Sequence, residues 1–253
     1  MLFFWLLLLA HGVADFILQT AAVSSAKCQN KWRGYFWHGA AVFACTLLAI
    51  HFYGWRGALL AAALVTAVHL ALDWLKNKGR ALCSKVRKRE ARPGVPGLII
   101  DQLLHILSLL WIWRLLDRPV DTAVAGFYTK VLAPLGRFPG AERVVAGISI
   151  YILVAFGGAV LIRIALDQVF PGYAVDGQEK GVAAGKYIGI LERTLILILA
   201  ATGNISAIGV VFAAKSIARF SELSKKQFAE YYLVGTLLSF LLALAGGMAI
   251  STL

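Results

Sequence analysis

The sequence predicts an all-α, polytopic helical membrane protein with about eight transmembrane helices, and three observations carry that prediction. Of 253 residues, 60% are hydrophobic and 15% charged, with a mean hydropathy of +0.76, whereas soluble domains carry about 25% charged residues. The apolar residues fall in long blocks separated by short charged stretches, which is the pattern of helical spans and not of barrel strands. The net charge of +12 is gathered in a few of those stretches, as membrane topology requires. Soluble classes are excluded, and no nucleic-acid partner is expected, because the excess charge sits where topology needs it.

Taken in order, the apolar blocks place spans at about 2–20, 35–53, 57–76, 97–116, 144–166, 187–203, 205–221 and 230–251. The opening "MLFFWLLLLAHGVADFILQT" has no basic n-region or small-residue cleavage site, so it reads as a permanent first helix and not a signal peptide. Residues 187–203 and 205–221 are short and joined by "TGN". They are either two spans or a re-entrant hairpin shielded by protein, giving eight spans or six. Pro119, Pro134, Pro139, Gly126, Gly136 and Gly140 mark 117–143 as an extracytoplasmic linker. It separates a four-helix unit, 1–116, from a second helical unit, 144–253. Cys28, Cys45 and Cys83 have no metal-ligand spacing and an odd count, so they read as free thiols.

Orientation follows from Lys and Arg in the loops. The first loop carries Lys27, Lys31 and Arg33, the second only Arg56, and the third, "KNKGRALCSKVRKREARPG", carries Lys76, Lys78, Arg80, Lys85, Arg87, Lys88, Arg89 and Arg92 against Glu90. The first and third loops are expected in the cytoplasm and the N-terminus outside. The basic loop 76–92 would also contact anionic lipid, at about 1 kcal/mol per Lys or Arg near an acidic leaflet.

Against this apolar background the polar residues of the first unit stand out. The first helix carries His11, Asp15 and Gln19, the second His38, the third His69 and Asp73, and the fourth Asp101, Gln102 and His105. Three of these make His/Asp pairs at i,i+4, on one helical face. The loop charges place every one of them toward the cytoplasmic side of the membrane. Three unpaired carboxylates there would cost on the order of 8–10 kcal/mol, so something must neutralise them. Imidazole and carboxylate are ligands for zinc, manganese and iron. His11, Asp15, His38, His69, Asp73, Asp101 and His105 exceed one tetrahedral shell, which points to one or two divalent ions, with Gln19 and Gln102 orienting a water or a substrate oxygen. The competing reading makes the same residues hydrogen-bonding glue between helices. His51, beside Phe52 and Tyr53, reads as an interface residue, and the Trp residues near span ends read as an aromatic belt.

The second unit holds Glu192, Lys215, Arg219 and Glu222 within or beside apolar stretches. Lys215 and Arg219 lie on one face, and they either pair with Glu192 or Glu222 across the bundle or hold an anionic head group.

The motifs "LLLAHGVADFILQT", "WHGA", "HLALDWLK" and "IIDQLLHILSLL" resemble the domain-of-unknown-function 3307 family of bacterial polytopic membrane proteins. The likeness runs on through "GKYIGILERTLILIL", "AIGVVFAAKSIARFSEL" and "EYYLVGTLLSFLLAL". It implies the fold, the bacterial cytoplasmic membrane and weight on the His/Asp positions, and no reaction. The H-x-x-x-D helices are also similar to those of membrane-embedded metal-dependent hydrolases. The expected activity is thus metal-dependent hydrolysis of a lipid-linked or membrane-associated substrate. A cation- or proton-coupled transporter using the same His and Asp residues, or a non-catalytic scaffold, stands as the alternative.

Overall fold

A computed structural model of the chain describes residues 1–87, 94–116, 140–171 and 179–253, with Thr122 and Gly126 besides. The described residues are helical and contain no strand. The helices are α1 (Leu2–Gly12), α2 (Ala21–Cys28), α3 (Trp32–Ile50), α4 (Trp55–Arg87), α5 (Val95–Leu116), α6 (Ala141–Ile152), α7 (Gly158–Val169), α8 (Glu179–Ala201), α9 (Ile205–Ala218) and α10 (Lys226–Ser251). Among the described residues five stretches are long and apolar enough to cross a membrane: Trp32–Tyr53, Trp55–Leu82, Val95–Leu116, Ala141–Val169 and Lys226–Ser251. Leu2–Leu18 and Ala21–Cys28 make a sixth if the bent pair is one broken span. The segments expected at 187–203 and 205–221 fall on α8 and α9. The first carries Lys186, Glu192 and Arg193, and the second has 14 residues, about 21 Å of helix against the ~30 Å of a hydrocarbon core.

The chain divides into two compact units, Met1–Ser149 and Ile150–Leu253. The expected linker at 117–143 lies outside the described residues except for Thr122, Gly126 and 140–143. In the first unit α1 packs on α3 and α5, and α4 packs on the same two. This closes a ring of four helices whose interior receives one face of each.

Two local features shape that ring. After Gly12 the first helix widens into a π-helical turn, Val13–Leu18. Such a turn inserts a residue and offsets everything after it. Gln19 then turns extended (ψ 96°) and the chain bends by 95° into α2. The Thr20 hydroxyl caps α2 by accepting from the Val23 N–H at 3.3 Å. Asn30, at φ 53°, ends it, with Lys31 N–H bonded to Ala26 O and Asn30 N–H to Lys27 O. That is a Schellman closure with Asn in the left-handed position. The first helical stretch, Leu2–Leu18, thus covers the span expected at 2–20, and the 95° bend follows it.

The second feature is the length of α4. Its 33 residues run about 50 Å, so the stretch expected as a loop from Lys76 is helical through Arg87, with 88–92 outside the described residues. Lys, Arg, Ala and Leu are good helix formers, so the helix continues past the membrane-length block. Cys28 and Cys45 are free thiols; the Cys83 side chain lies outside the described residues.

In the second unit α8, α9 and α10 pack around Val154, Ile196, Leu197, Ala200, Ile208 and Ala243. A Cβ on Gly247 would lie 2.7 Å from Leu197 O, so α10 and α8 approach backbone to backbone, as small residues allow in membrane helices. A second π-helical turn, Leu153–Gly157, joins α6 to α7. Its Ala155 carbonyl accepts from both Nε and Nη2 of buried Arg193, at 3.1 and 2.8 Å, while Nη1 donates to Ser239 Oγ at 3.3 Å.

Gly34 is the closest approach in the first unit: a Cβ there would lie 2.6 Å from Lys27 N and 2.9 Å from Ala26 C. Backbone, not a flexible side chain, is in the way. Gly34→Ala is expected to cost about 1–3 kcal/mol, read as a lowered thermal unfolding midpoint in detergent. An unchanged midpoint would mean that α2 does not rest on α3 in solution.

Candidate metal centre

His11, His38, His69 and His105 all lie inside the four-helix ring, each no more than 3% exposed. They form one contiguous set. Ring centroids are 4.9 Å apart for His38 and His69, 4.4 Å for His69 and His105, 5.3 Å for His11 and His105, and 5.4 Å for His11 and His69. His51 stands apart, its Nδ1 2.6 Å from Leu48 O.

The closest contacts run between helices and not along the i,i+4 pairs. His11 Nε2 is 4.0 Å from Asp15 Oδ2, and His69 Nε2 is 3.8 Å from Asp73 Oδ2. His105 Nδ1 is 3.6 Å from Asp101 Oδ1 but donates to the Asp101 backbone carbonyl at 2.8 Å. Asp15, carried on the π-helical turn, instead reaches two other helices: its Oδ1 is 3.3 Å from His38 Nε2 and 3.3 Å from His69 Nε2. Those two nitrogens are 2.8 Å apart. Asp73 Oδ2 lies behind the pair, 3.5 Å from His38 Nε2.

Three ligand atoms thus form a triangle with edges of 2.8, 3.3 and 3.3 Å. Ligands about 2.1 Å from one ion, at angles between 90° and 109°, are about 3.0–3.4 Å apart. The separations in the triangle are close to that spacing. Asp15 Oδ1 is buried and accepts no hydrogen bond with acceptable geometry, and His38 Nδ1, His11 Nδ1 and His105 Nε2 are also buried without partners. Buried polar atoms are rarely left so.

Two lysines complete the centre, and both were assigned to loops by the sequence. Lys27, only 4% exposed, donates to Asp73 Oδ2 at 2.5 Å and to Gln19 Oε1 at 2.7 Å. Lys76 donates to Asp73 Oδ1 at 2.7 Å and to Asp101 Oδ2 at 3.0 Å. Lys76 is three residues from Asp73 on one helix, a spacing that could have revealed the pair. Lys27 had no such signal, because the 95° bend is what brings it there. Asn77, also unforeseen, locks the arrangement: its Nδ2 donates to Lys27 O at 3.3 Å and to Tyr35 Oη at 2.9 Å. Gln19 and Gln102, expected to orient a water or substrate oxygen, are engaged by Lys27 and by His11, whose Nε2 is 3.2 Å from Gln102 Oε1.

With neutral imidazoles the cluster carries three carboxylates (Asp15, Asp73, Asp101) and two ammonium groups (Lys27, Lys76). It is short of positive charge, and the shortfall lies at Asp15. Three overlapping sets, His11/Asp15/His69, His38/His69/Asp73 and Asp73/Asp101/His105, each offer ligand atoms within 4.8 Å of one another, and these buried groupings could hold a metal ion.

In the second unit Lys215 Nζ is 2.5 Å from Glu192 Oε2, and Arg219 Nη1 is 2.6 Å from Glu222 Oε2. The first pair is partly buried; the second is exposed and contributes little.

Comparison with known families gives a match over residues 3–132, half of the chain, to the model described as "Protein of unknown function (DUF3307)". The chain belongs to this family. No curated protein and no solved structure matches it. The matched region takes in α1 to α5 and hence every His, Asp and Lys of the centre.

Removing Lys27 takes from buried Asp73 one of its two ammonium partners and leaves Lys76 as the other. Lys27→Met is expected to destabilise the protein by on the order of 3 kcal/mol, and Asp73→Asn in the same chain is expected to recover most of it. Thermal unfolding of both variants in detergent measures this. Equal stability of the wild type and Lys27→Met would mean that the pair is not formed.

Proposed function

We propose that the chain is an integral protein of the bacterial cytoplasmic membrane, with its N-terminus outside, that holds one divalent ion of the zinc, manganese or iron class between Asp15 Oδ1, His38 Nε2 and His69 Nε2. The ion serves hydrolysis of a membrane-associated ester or phosphoester. The triangle of 2.8, 3.3 and 3.3 Å carries the reading. Three protein ligands, two imidazoles and a carboxylate, leave coordination positions open for water and substrate, which distinguishes catalytic from structural sites. A bound ion would lower the pKa of a coordinated water and polarise an ester oxygen.

The chain's own residues supply the rest. Lys27 and Lys76 hold both oxygens of Asp73, so that carboxylate neither drifts into the ligand triangle nor stays uncompensated. Gln102 fixes His11 through Nε2 and sits within 3.4 Å of Asp101 Oδ2. Two fixed ammonium groups beside the ion favour negative charge developing on a substrate oxygen. The same fixed charges oppose passage of a cation, which sets the hydrolase above the transporter. The basic end of α4 would hold the protein to anionic lipid, and Lys215 and Arg219 would meet head groups at the membrane surface.

A transporter remains the second reading because His38 and His69 share a direct Nε2–Nε2 contact of 2.8 Å within a file of four rings. Such a file can pass a proton.

Elemental analysis of the detergent-purified protein decides first. The wild type is expected to keep about one ion per chain through dialysis, and Asp15→Asn, His38→Ala and His69→Ala to lose at least tenfold in affinity. A wild type that takes up no zinc, manganese or iron after reloading would end the metal reading. Rapidly exchanging metal with flux in liposomes and no turnover of lipid esters would replace hydrolase by transporter.

A further inference from the structure

Asp73 divides its two oxygens between two surroundings. Oδ2 faces the ligand triangle, 3.5 Å from His38 Nε2. Oδ1 accepts from Lys76 Nζ, which also donates to Asp101 Oδ2. On that far side Asp73, Asp101 and His105 offer one ligand atom each within 4.8 Å of one another. Two carboxylates and an imidazole, all buried, are as good a ligand set as the triangle itself.

We propose that this far side is a second cation position and that the ammonium of Lys76 permanently fills it, so that the centre is built as a two-ion site with one ion replaced by a lysine. The inference rests on the one-ion reading above. Lys76 Nζ stands 2.7 Å from Asp73 Oδ1 and 3.0 Å from Asp101 Oδ2, where a divalent ion would bridge the same two oxygens at about 2.0–2.2 Å. Asp73 stands between the two positions: Lys27 holds its Oδ2, 3.5 Å from His38 Nε2, and Lys76 holds its Oδ1.

His105 gives the independent indication. Its Nδ1 proton is fixed on the Asp101 carbonyl at 2.8 Å, so Nε2 carries a lone pair. That nitrogen is buried and has no partner. Fixing one ring nitrogen on a backbone carbonyl to present the other is how metal-ligating histidines are held. Lys76 spends two of its three N–H donors on Asp73 Oδ1 and Asp101 Oδ2, and the bare Nε2 belongs to a histidine of the same buried ligand group. The His105 ring lies 4.4 Å from that of His69, so the two cation positions are neighbours.

The exchange has a chemical consequence. A second ion would bind and leave with its concentration, whereas Lys76 is covalently present. An ammonium is a point charge with N–H donors and no open coordination position. It can steady an anionic oxygen beside the ion but cannot supply a second activated water. With a side chain 25% exposed against 2% for Asp73, Lys76 is on the accessible side of the cluster.

Metal stoichiometry of the full-length protein in detergent, equilibrated with excess Mn2+ and desalted, tests this. The wild type is expected to hold about one ion and Lys76→Met about two. Asp101→Asn added to Lys76→Met is expected to remove the second ion and spare the first. A Lys76→Met protein that stays at one ion overturns the proposal. So does a spin-coupled Mn2+ pair in the paramagnetic resonance spectrum of the saturated wild type, a measurement that does not depend on the variant folding. If the wild type takes up no ion, the one-ion reading fails. The second position is then decided separately: an ion gained by Lys76→Met upholds it, and none gained overturns it.

Discussion

The carboxylate of Asp73 is the point on which the first unit turns. It is 2% exposed, in the middle of a helix whose sequence is otherwise apolar enough to span a bilayer, and such a charge costs about 2.5–3.5 kcal/mol on insertion scales. The offset comes from two ammonium groups, Lys27 from α2 and Lys76 from the next turn of its own helix. To bring Lys27 there the chain must break its first helix, turn by 95° and lay α2 against α3 and α4. The bend, the Asn30 closure, the absence of a side chain at Gly34 and the Asn77 bond to the Lys27 carbonyl all serve that one contact.

The two π-helical turns do comparable work in the two units. In the first, the turn at Val13–Leu18 takes Asp15 off its own helix's face and aims it at His38 and His69. In the second, the turn at Leu153–Gly157 contains the Ala155 carbonyl that receives two N–H groups of Arg193. An inserted residue disturbs the i→i−4 ladder, and the disturbed backbone becomes available to a buried polar side chain. Polar chemistry inside an apolar helix is tied in both places to a local departure from α geometry.

Charge accounting links the site to the proposed chemistry. Lys27 and Lys76 compensate two of the three carboxylates, and the third, Asp15, has an oxygen without a hydrogen bond beside two imidazole nitrogens. The remaining demand for positive charge is therefore localised at Asp15, beside the Nε2 atoms of His38 and His69. Buried charges are stable only when paired and hydrogen-bonded. Asp15 is the carboxylate of the three that has only imidazoles, and no ammonium group, beside it.

The sequence by itself determined the helical class, because membrane-length apolar blocks admit little else, and most of the polar residues at the centre, because a His or Asp in such a block is conspicuous. It also indicated that the four histidines share one level, since loop charges orient each helix. Spacing at i,i+4 put His11 and Asp15, His69 and Asp73, and Asp101 and His105 each on one helical face, but it did not say which imidazole meets which carboxylate; the shortest His–Asp side-chain contacts join different helices. Lys27 and Lys76 looked like topology charges, because a lysine flanking an apolar block ordinarily stays in water. Only the tertiary structure could decide otherwise. Whether a flanking lysine turns inward depends on a bend, a backbone approach at glycine and a carboxylate 46 residues away, and these non-local conditions leave no periodic trace in the chain.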